Sequence, residues 1–225
     1  MRFNFFRMNN YAIIFDMDGV LVDSNPYHKI ALHQFCAKYG YHLTEEGLRN
    51  KIYGRTNKEW ITNLFGTLPP DQLAQYGEEK EALYRELFDK DIQPVAGLLD
   101  FLHLLNKHKI PRAIGTSAPW SNVDFTLSKT GTQSFFHIIL DESHVTHSKP
   151  NPEIYINVAK RLGLPPQQCI VFEDSLSGVI SAKQAGAKVV GITTTHTPAE
   201  LSETDLIIND FKNLDPLDLF VKIFK

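Results

Sequence analysis

The sequence is poor in cysteine, has no long apolar run and carries no strong excess of either charge. Its two cysteines among 225 residues, Cys36 and Cys169, both stand inside apolar patterns, which predicts buried free thiols and not a disulfide. No apolar stretch approaches the ~20 residues that a membrane-spanning helix requires. The formal net charge of −3 argues against the broad basic surface with which proteins bind nucleic acid.

The start of the chain also lacks the continuous apolar segment of a secretory signal. Phe3, Phe5 and Phe6 are interrupted by Asn4 and Arg7, and cleavage after this stretch would remove part of the first predicted strand. We therefore expect a cytoplasmic protein without a membrane or nucleic-acid partner, and we expect it to be a monomer.

The rest of the composition, with 43% apolar and 22% charged residues, is typical of a globular protein with a substantial core. Residues 25–91 show apolar positions at helical spacing and no convincing strand. From Pro94 onward, short apolar runs alternate with helical patterns, which indicates a parallel sheet with right-handed crossovers. We predict a doubly wound, Rossmann-like α/β domain from residues 1–24 and 92–225, interrupted by a helical domain at 25–91.

Two carboxylates follow the first predicted strand, Tyr11 to Phe15. Asp16 and Asp18 are two residues apart, so an extended chain places them on the same side, and Asp18-Gly19 then favours a turn. Carboxylates this close repel each other unless a cation or a shared proton lies between them. Taken alone, the same pattern also fits an ordinary turn after a strand.

Polar side chains follow other predicted strands as well. Thr116-Ser117 follows the strand at 111–115, Glu173-Asp174 follows the strand at 169–172, and Lys149 precedes a helix. The carboxyl ends of parallel strands share one edge of the sheet, so we expect these groups to converge. The carboxylates imply a hard divalent cation, for which oxygen ligands favour Mg²⁺, while the hydroxyl and the ammonium suit a phosphoryl group.

These polar groups lie in four short motifs. The motifs are Asp16-Met17-Asp18-Gly19-Val20, Gly115-Thr116-Ser117-Ala118, Ser148-Lys149-Pro150-Asn151-Pro152 and Phe172-Glu173-Asp174-Ser175-Leu176-Ser177-Gly178. In this order they resemble the motifs of the haloacid dehalogenase superfamily, specifically its β-phosphoglucomutase-like branch of phosphotransferases with a helical cap. The helical insertion stands where that branch has its cap, so the resemblance covers nearly the whole chain.

The resemblance implies a role for each of four side chains. Asp16 would attack phosphorus to form an aspartyl-phosphate, and Asp18 would act first as general acid and then as general base. Thr116 would hydrogen-bond the phosphoryl group, and Lys149 would balance the charge of that group and of Asp16.

The resemblance also implies Mg²⁺ as the cofactor. Its ligands would be the Asp16 side chain, the Asp18 backbone carbonyl and Asp174, with Glu173 bound directly or through water. Dehalogenases of the superfamily lack the second aspartate of the first motif, so Asp18 argues against carbon–halogen chemistry.

The family contains both phosphatases and mutases, and the cap residues help to discriminate between them. A mutase must grip a second phosphate, for which the β-phosphoglucomutase pattern supplies an arginine three residues after a cap glycine. Here Asn57 stands at that position with Arg55 and Lys58 as neighbours, and asparagine cannot form the bidentate grip of arginine. We therefore predict hydrolysis of a small phosphorylated metabolite such as a sugar phosphate. The alternative is a phosphohexomutase that interconverts hexose 1- and 6-phosphates. The candidate substrate-binding residues are Ser117, His28, Arg55, Asn57 and Lys58.

Several of these residues also have a purely structural interpretation. Glu173-Asp174-Ser175 could cap a helix, Thr116 could belong to a turn, and Lys149 could be a solvated loop residue. His28 could be a core residue. Alternatively, it could couple cap closure to the acid/base group, as the histidine at this offset does in the family's mutases.

Other classes of site and protein fit the sequence less well. The spacing of His137, His144 and His147 fits no common zinc pattern, so we expect surface or loop histidines. Phospho-acceptor receiver domains also combine aspartates, a hydroxyl and a lysine, but their aspartates lie on different strands and they have no helical insertion. A dinucleotide-binding domain would require a G-x-G-x-x-G sequence after the first strand, which is absent.

Overall fold

The computed structural model describes residues 10–44, 46–47 and 56–224. The chain divides into a core unit, Met1–Asp23 with Ile92–Lys225, and a helical unit, Ser24–Asp91. Within the described ranges, no helix is both long enough and apolar enough to cross a bilayer. Both cysteines are buried and free, which confirms the prediction made from their apolar surroundings.

The core unit contains a sheet of six parallel strands. They are β1 (Ala12–Phe15), β2 (Arg112–Gly115), β3 (Ile139–Leu140), β4 (Cys169–Glu173), β5 (Lys188–Ile192) and β6 (Leu206–Ile208). Their order is β3-β2-β1-β4-β5-β6, so the chain winds to one side of β1 and then to the other. This order confirms the predicted doubly wound α/β fold and creates a topological switch point between β1 and β4.

The described residues of both units also form α-helices. The helical unit contains α1 (Asn25–Lys38), α2 (Asn57–Phe65) and α3 (Pro70–Phe88), and the core unit contains α4 (Leu98–Lys107), α5 (Trp120–Thr130), α6 (Glu153–Leu162), α7 (Leu176–Ala185) and α8 (Pro216–Ile223).

The central strand β1 is buried on both faces of the sheet. Its side chains alternate, because successive residues of a strand point to opposite sides. Ile13 and Phe15 pack in a core with residues of α4, α5 and α8, whereas Ala12 and Ile14 pack with residues of α6 and α7. Two helical layers therefore cover the sheet, which explains why the strands have continuous apolar sequences.

Two helix predictions need correction. The sequence prediction misses α8, although Asp215 caps this helix by accepting hydrogen bonds from the N–H groups of Leu217 and Asp218. The apolar pattern also predicts that α4 begins at Val95, but Gly97 adopts a left-handed backbone conformation with a φ of 80°. A right-handed helix requires negative φ, so α4 begins at Leu98, three residues later.

The helical unit has its own aromatic core. The Phe35 ring of α1 lies 5.5 Å from the Trp60 ring of α2 and 5.9 Å from the Tyr76 ring of α3. Thr56 starts α2 with a capping box, in which its hydroxyl accepts from the Glu59 N–H and its own N–H donates to the Glu59 carboxylate. Edge-to-face aromatic packing thus joins all three described helices of this unit. The sequence also predicts a helix that begins near Thr44 and runs towards Ile52, and this stretch falls mostly outside the described residues.

Candidate active site

The candidate active site lies where β1 and β4 end side by side at the switch point. Phe15 pairs with Phe172 in the parallel ladder, and the Asp16 N–H donates to the Phe172 carbonyl at 3.0 Å. The rings of Phe15 and Phe172 stack with their centroids 5.2 Å apart. Because this packing fixes the register of the two strands, Asp16 and Glu173 reach the same edge of the sheet together.

Three carboxylate residues come together at this edge and form the acidic group of the site: Asp16, Glu173 and Asp174. They are 7%, 0% and 2% exposed, and one carboxylate oxygen from each lies within 4.8 Å of the others. With the neighbouring Lys149 ammonium, the three carboxylates carry a formal charge of −2, which one divalent cation would neutralise. Buried charge of this kind is costly without a counter-ion, so the oxygen ligands of this acidic group suit a metal such as Mg²⁺.

Burial raises the pKa values of two of these carboxyl groups. Desolvation is the largest cause at Asp16, whose pKa rises to about 7 although the charge of Lys149 lowers it. Desolvation also raises the pKa of Asp174 well above its ordinary value, and the charges of Glu173 and Asp16 act in the same direction. A cation bound between these oxygens would favour their ionised forms.

Lys149 joins two members of the acidic group. Its Nζ lies 2.9 Å from Asp16 Oδ1 and 2.6 Å from Glu173 Oε1, and its side chain is 6% exposed. Desolvation lowers the pKa of this ammonium, but the charges of Asp16 and Glu173 and hydrogen bonds to them outweigh it and raise the pKa above its ordinary value. The ammonium therefore stays charged, in contrast to the solvated loop lysine that the sequence also allowed.

The turn after β4 combines a helix cap with the acidic group. Ser175 Oγ accepts from the Gly178 N–H at 3.0 Å and caps α7. Glu173 Oε2 accepts from the Asp174 N–H at 3.1 Å and from the Ser175 N–H at 3.2 Å. The capping interpretation therefore holds for Ser175, while the carboxylates of Glu173 and Asp174 lie in the acidic group.

Asp18 lies in a tight turn after β1. It is half-buried, and its charge contributes to the raised pKa of Asp16, which indicates that the two carboxylates are close. Gly19 adopts a positive φ of 73°, a conformation that glycine tolerates better than other residues. The Gly19 N–H donates to the Val22 carbonyl at 2.8 Å, and the Gly19 carbonyl accepts from Thr194 Oγ1 at 2.5 Å. The first bond closes the turn, and the second ties it to the loop that follows β5.

Thr116 and Ser117 follow β2 on the other side of β1. Thr116 is buried, and its Oγ1 accepts a hydrogen bond from the Ala118 N–H at 3.1 Å. Because the hydroxyl is the acceptor in that bond, its proton can still be donated to another group. The Ser117 side chain is exposed.

Two polar side chains at the site were not identified from the sequence. Thr195 follows β5 and donates a hydrogen bond to Asp174 Oδ2, and its position after a strand was the available signal. Tyr155 of α6 donates to Glu173 Oε1 at 2.5 Å. The sequence carries no signal for this second contact, because Tyr155 also fits the apolar face of an amphipathic helix.

The candidate substrate-binding residues of the helical unit have different surroundings. Both polar atoms of the Asn57 side chain form hydrogen bonds within the unit. Its Nδ2 donates to Glu81 Oε1 at 3.1 Å, and its Oδ1 accepts from Trp60 Nε1 at 2.8 Å. Lys58 is exposed, and Arg55 lies outside the described residues.

His28 takes part in a buried polar cluster of the helical unit. Its ring stacks on that of Tyr84 with centroids 3.6 Å apart, and its Nδ1 lies 2.9 Å from Lys80 Nζ. Because an ammonium can only donate, Nδ1 accepts this hydrogen bond. Lys80 Nζ also lies 3.0 Å from Glu81 Oε1, and both of these charged residues are buried.

Of the three histidines considered for a zinc site, His137 is exposed, and the other two lie beside carboxylates. His144 Nδ1 lies 2.7 Å from Asp141 Oδ1, and His147 Nδ1 lies 3.3 Å from Glu153 Oε2. Across the part of the chain that the structure describes, Asp16, Glu173 and Asp174 are the group whose ligand atoms lie close enough to hold a metal ion.

The doubly wound sheet, with an acidic group and a lysine at its switch point and a separate helical unit, defines an enzyme of the haloacid dehalogenase type. A family model described as haloacid dehalogenase-like hydrolase matches residues 13–192. The chain belongs to this family, and the prediction of an enzyme from this superfamily is confirmed.

Three similar proteins illustrate the relationship. A phosphorylated carbohydrates phosphatase from Thermotoga maritima is 34% identical over 180 residues, which cover 78% of this chain and 81% of the relative. The crystal structure of a family IA hydrolase from Entamoeba histolytica has a TM-score of 0.86 at 33% identity, covering 96% of this chain and 100% of the other. The structure of β-phosphoglucomutase from Clostridium difficile has a TM-score of 0.80 at 25% identity, covering 94% of this chain and 96% of the other.

Proposed function

We propose that this protein is a Mg²⁺-dependent phosphatase that hydrolyses a small phosphorylated metabolite through an aspartyl-phosphate on Asp16. The observation that carries the proposal is the placement of Lys149 Nζ at 2.9 Å from Asp16 Oδ1, inside a buried group of carboxylates. The name of the Thermotoga relative supports a phosphorylated carbohydrate as the substrate.

In the first half-reaction, an Asp16 carboxylate oxygen attacks phosphorus. The bond between phosphorus and the oxygen of the sugar breaks as the new bond forms, and Asp18 gives its proton to the departing oxygen. Lys149 balances the charge of Asp16 and of the transferring group, and the Thr116 hydroxyl donates to a phosphoryl oxygen.

In the second half-reaction, the phosphoryl group is transferred from Asp16 to water. Asp18 now carries no proton and removes one from the water molecule, whose oxygen attacks phosphorus. The bond between phosphorus and Asp16 breaks, which releases inorganic phosphate and restores both carboxyl groups to their starting states.

The acidic group would hold the Mg²⁺ ion. Asp16, Asp174 and the backbone carbonyl of Asp18 are the proposed ligands, with Glu173 beside them. When bound, the ion would neutralise charge on these oxygens and on the phosphoryl group. Thr195, which donates to Asp174 Oδ2, would orient this ligand.

The carboxylate partners of Lys80 and Arg85, together with the asparagine at position 57, favour hydrolysis over the mutase reaction. A mutase needs a cation for the second phosphate of a bisphosphate intermediate. Lys80 is paired with Glu81, Arg85 is paired with Glu78, and Asn57 stands where the mutase pattern has arginine. The similarity to β-phosphoglucomutase keeps the phosphohexomutase reaction as the second candidate. For either reaction, we propose that residues 25–91 act as a cap that selects the substrate. We also propose that His28 and Ser117 are among the substrate-binding residues.

The direct test is phosphate release from sugar phosphates, pyrophosphate and nucleotides with Mg²⁺. We expect hydrolysis of at least one sugar phosphate, its loss on chelation of the metal, and a decrease of about 10⁴-fold or more in Asp16→Asn, as is typical for loss of a nucleophile. Asp100→Asn, at an exposed position on α4, is the matched control and should retain activity. Equal turnover by Asp16→Asn and wild type would refute the assignment of the nucleophile.

A second assay separates the two reactions. The enzyme is given β-glucose 1-phosphate with a trace of the 1,6-bisphosphate, and glucose 6-phosphate and free phosphate are followed together. We expect free phosphate to form faster. Isomerisation that outruns phosphate release would establish the mutase instead.

A further inference from the structure

Glu173 is surrounded by hydrogen-bond donors on both of its oxygens. Oε1 accepts from Lys149 Nζ at 2.6 Å and from the Tyr155 hydroxyl at 2.5 Å. Oε2 accepts from the Asp174 N–H at 3.1 Å, from the Ser175 N–H at 3.2 Å and from Ser175 Oγ at 3.0 Å. A carboxylate offers about four lone-pair positions, so these donors already use the whole accepting capacity of Glu173.

The backbone of α7 also confines this carboxylate. A β-carbon placed on Gly178 would overlap both carboxylate oxygens of Glu173, so only glycine at this position leaves room for the side chain. Glu173 itself is fully buried. The carboxylate is therefore wedged between α7 on one side and Tyr155 on the other.

Tyr155 contacts both Glu173 and Lys149. Its hydroxyl holds Oε1, and Lys149 Nζ lies 4.9 Å from the centroid of its ring, within the range of a cation–π interaction. Tyr155 is fully buried, and desolvation raises the pKa of its hydroxyl well above the ordinary value, with the charge of Glu173 acting in the same direction. The hydroxyl thus remains a neutral donor.

We infer that Tyr155 is a positioning residue and that Glu173 anchors Lys149 and the turn at 174–175 instead of coordinating the metal. The protein carboxylates on the metal are then Asp16 and Asp174. This inference rests on the phosphatase function proposed above. The Tyr155 hydroxyl fixes the orientation of the Glu173 carboxylate, and that carboxylate holds the Lys149 ammonium beside the nucleophile.

The test combines steady-state kinetics with direct calorimetric titration of Mg²⁺ into the full-length protein. Tyr155→Phe keeps the ring below Lys149 and removes the hydroxyl alone. We expect its kcat to fall at least about tenfold, as for other groups that orient a catalytic residue. Its KM for the sugar phosphate and its Kd for Mg²⁺ should stay within about threefold of wild type, because neither ligand touches the hydroxyl.

Two further variants test the assignment of Glu173 by metal binding alone. Asp174→Asn removes a proposed ligand and should weaken Mg²⁺ binding by about 100-fold, whereas Glu173→Gln should weaken it by less than about tenfold. Tyr11→Phe, just before β1 at the end of the strand opposite Asp16, is the control for loss of a tyrosine hydroxyl and should retain wild-type kcat.

The outcomes distinguish this inference from the proposed function. Equal losses of Mg²⁺ affinity in Glu173→Gln and Asp174→Asn would overturn the assignment of Glu173, whether or not the enzyme turns over. A Tyr155→Phe variant with a lower Tm but wild-type kcat would overturn the positioning role and leave a structural one. If wild type binds Mg²⁺ and hydrolyses no phosphate ester, the proposed function fails, while the calorimetric comparison still decides the role of Glu173.

Discussion

Each unit of the protein holds a lysine whose side chain is almost completely buried, and the two lysines have different partners. In the core unit, Lys149 lies between the carboxylates of Asp16 and Glu173 and is 6% exposed. In the helical unit, Lys80 lies between the Glu81 carboxylate and the His28 imidazole and is 7% exposed. The two sites therefore differ in charge more than in burial.

The difference in charge has a chemical consequence. Lys80 and Glu81 compensate each other in charge, and His28 accepts a further hydrogen bond from the ammonium, so this cluster requires no further ion. The acidic group around Lys149 keeps an excess of negative charge, which makes it a place for a divalent cation and a phosphoryl group. In this protein, the buried lysine at the proposed catalytic site is the one whose carboxylate partners outnumber it.

The first and largest effect is expected at Lys149. Lys149→Met removes the charge beside the nucleophile and should lower kcat/KM by about 10³-fold, a loss typical of a preorganised electrostatic group. Lys107→Met, at an exposed position on α4, should behave like wild type. If Lys149→Met retained activity within about threefold, Lys149 would be a structural residue like Lys80, and the contrast between the units would disappear.

A smaller effect, on stability instead of chemistry, is expected at Lys80. Lys80→Met leaves Glu81 buried without its charged partner and should destabilise the helical unit by about 3–5 kcal/mol. Trp60 reports on this unit because it is buried in its core, so urea unfolding is best followed by its fluorescence in a Trp120→Phe background. The double variant Lys80→Met/Glu81→Gln should recover part of the loss. A change below about 1 kcal/mol in Lys80→Met would show that the pair is not structurally important.

The smallest effect is expected at Asp141, which follows β3 at the same edge of the sheet. Its Oδ1 accepts from the Ser143 N–H at 3.0 Å and lies 2.7 Å from His144 Nδ1. Desolvation raises its pKa, but the hydrogen bonds from Ser143 and His144 outweigh this and lower the pKa below the ordinary 3.8. Asp141 should therefore stabilise the fold above pH 3.8 and lose this contribution as the pH falls through its lowered pKa.

Asp141→Asn is accordingly expected to cost about 1 kcal/mol at neutral pH, and the difference from wild type should shrink in acid. Unfolding free energies measured from pH 7 down to about pH 3 test this. Catalysis should be unaffected at neutral pH, because Asp141 is outside the acidic group. A constant difference at every pH would mean that the ionised carboxylate is not the stabilising form.

The core unit could be predicted from its sequence more completely than the helical unit. Strands of a parallel sheet end at a common edge, so the residues after β1, β2 and β4 could be placed near one another before the structure was known. Tyr155 could not be predicted in this way because it lies on the buried face of α6 and does not follow a strand. A buried tyrosine on such a face has the sequence pattern of an ordinary core residue. Thr195 follows β5 and could have been predicted from its position after a strand.

In the helical unit, periodicity predicts where helices lie and not which polar side chains meet between them. The contact of His28 with Lys80 joins residues 52 positions apart in the sequence, and lysines in helices are usually exposed. Asn57 stands where the mutase pattern has arginine, and in the structure its side chain bonds to Glu81 and Trp60. Those bonds could not have been inferred from spacing alone.

The most direct test of the central claim is to capture the phosphoryl group on the enzyme. Wild type and Asp16→Asn are mixed with Mg²⁺ and an accepted sugar phosphate, quenched in acid within one turnover, and digested for peptide mass spectrometry. The account predicts one phosphoryl group on the peptide that contains Asp16 in wild type and none in Asp16→Asn. Turnover without a phosphorylated Asp16, or with the phosphoryl group on another residue, would contradict it.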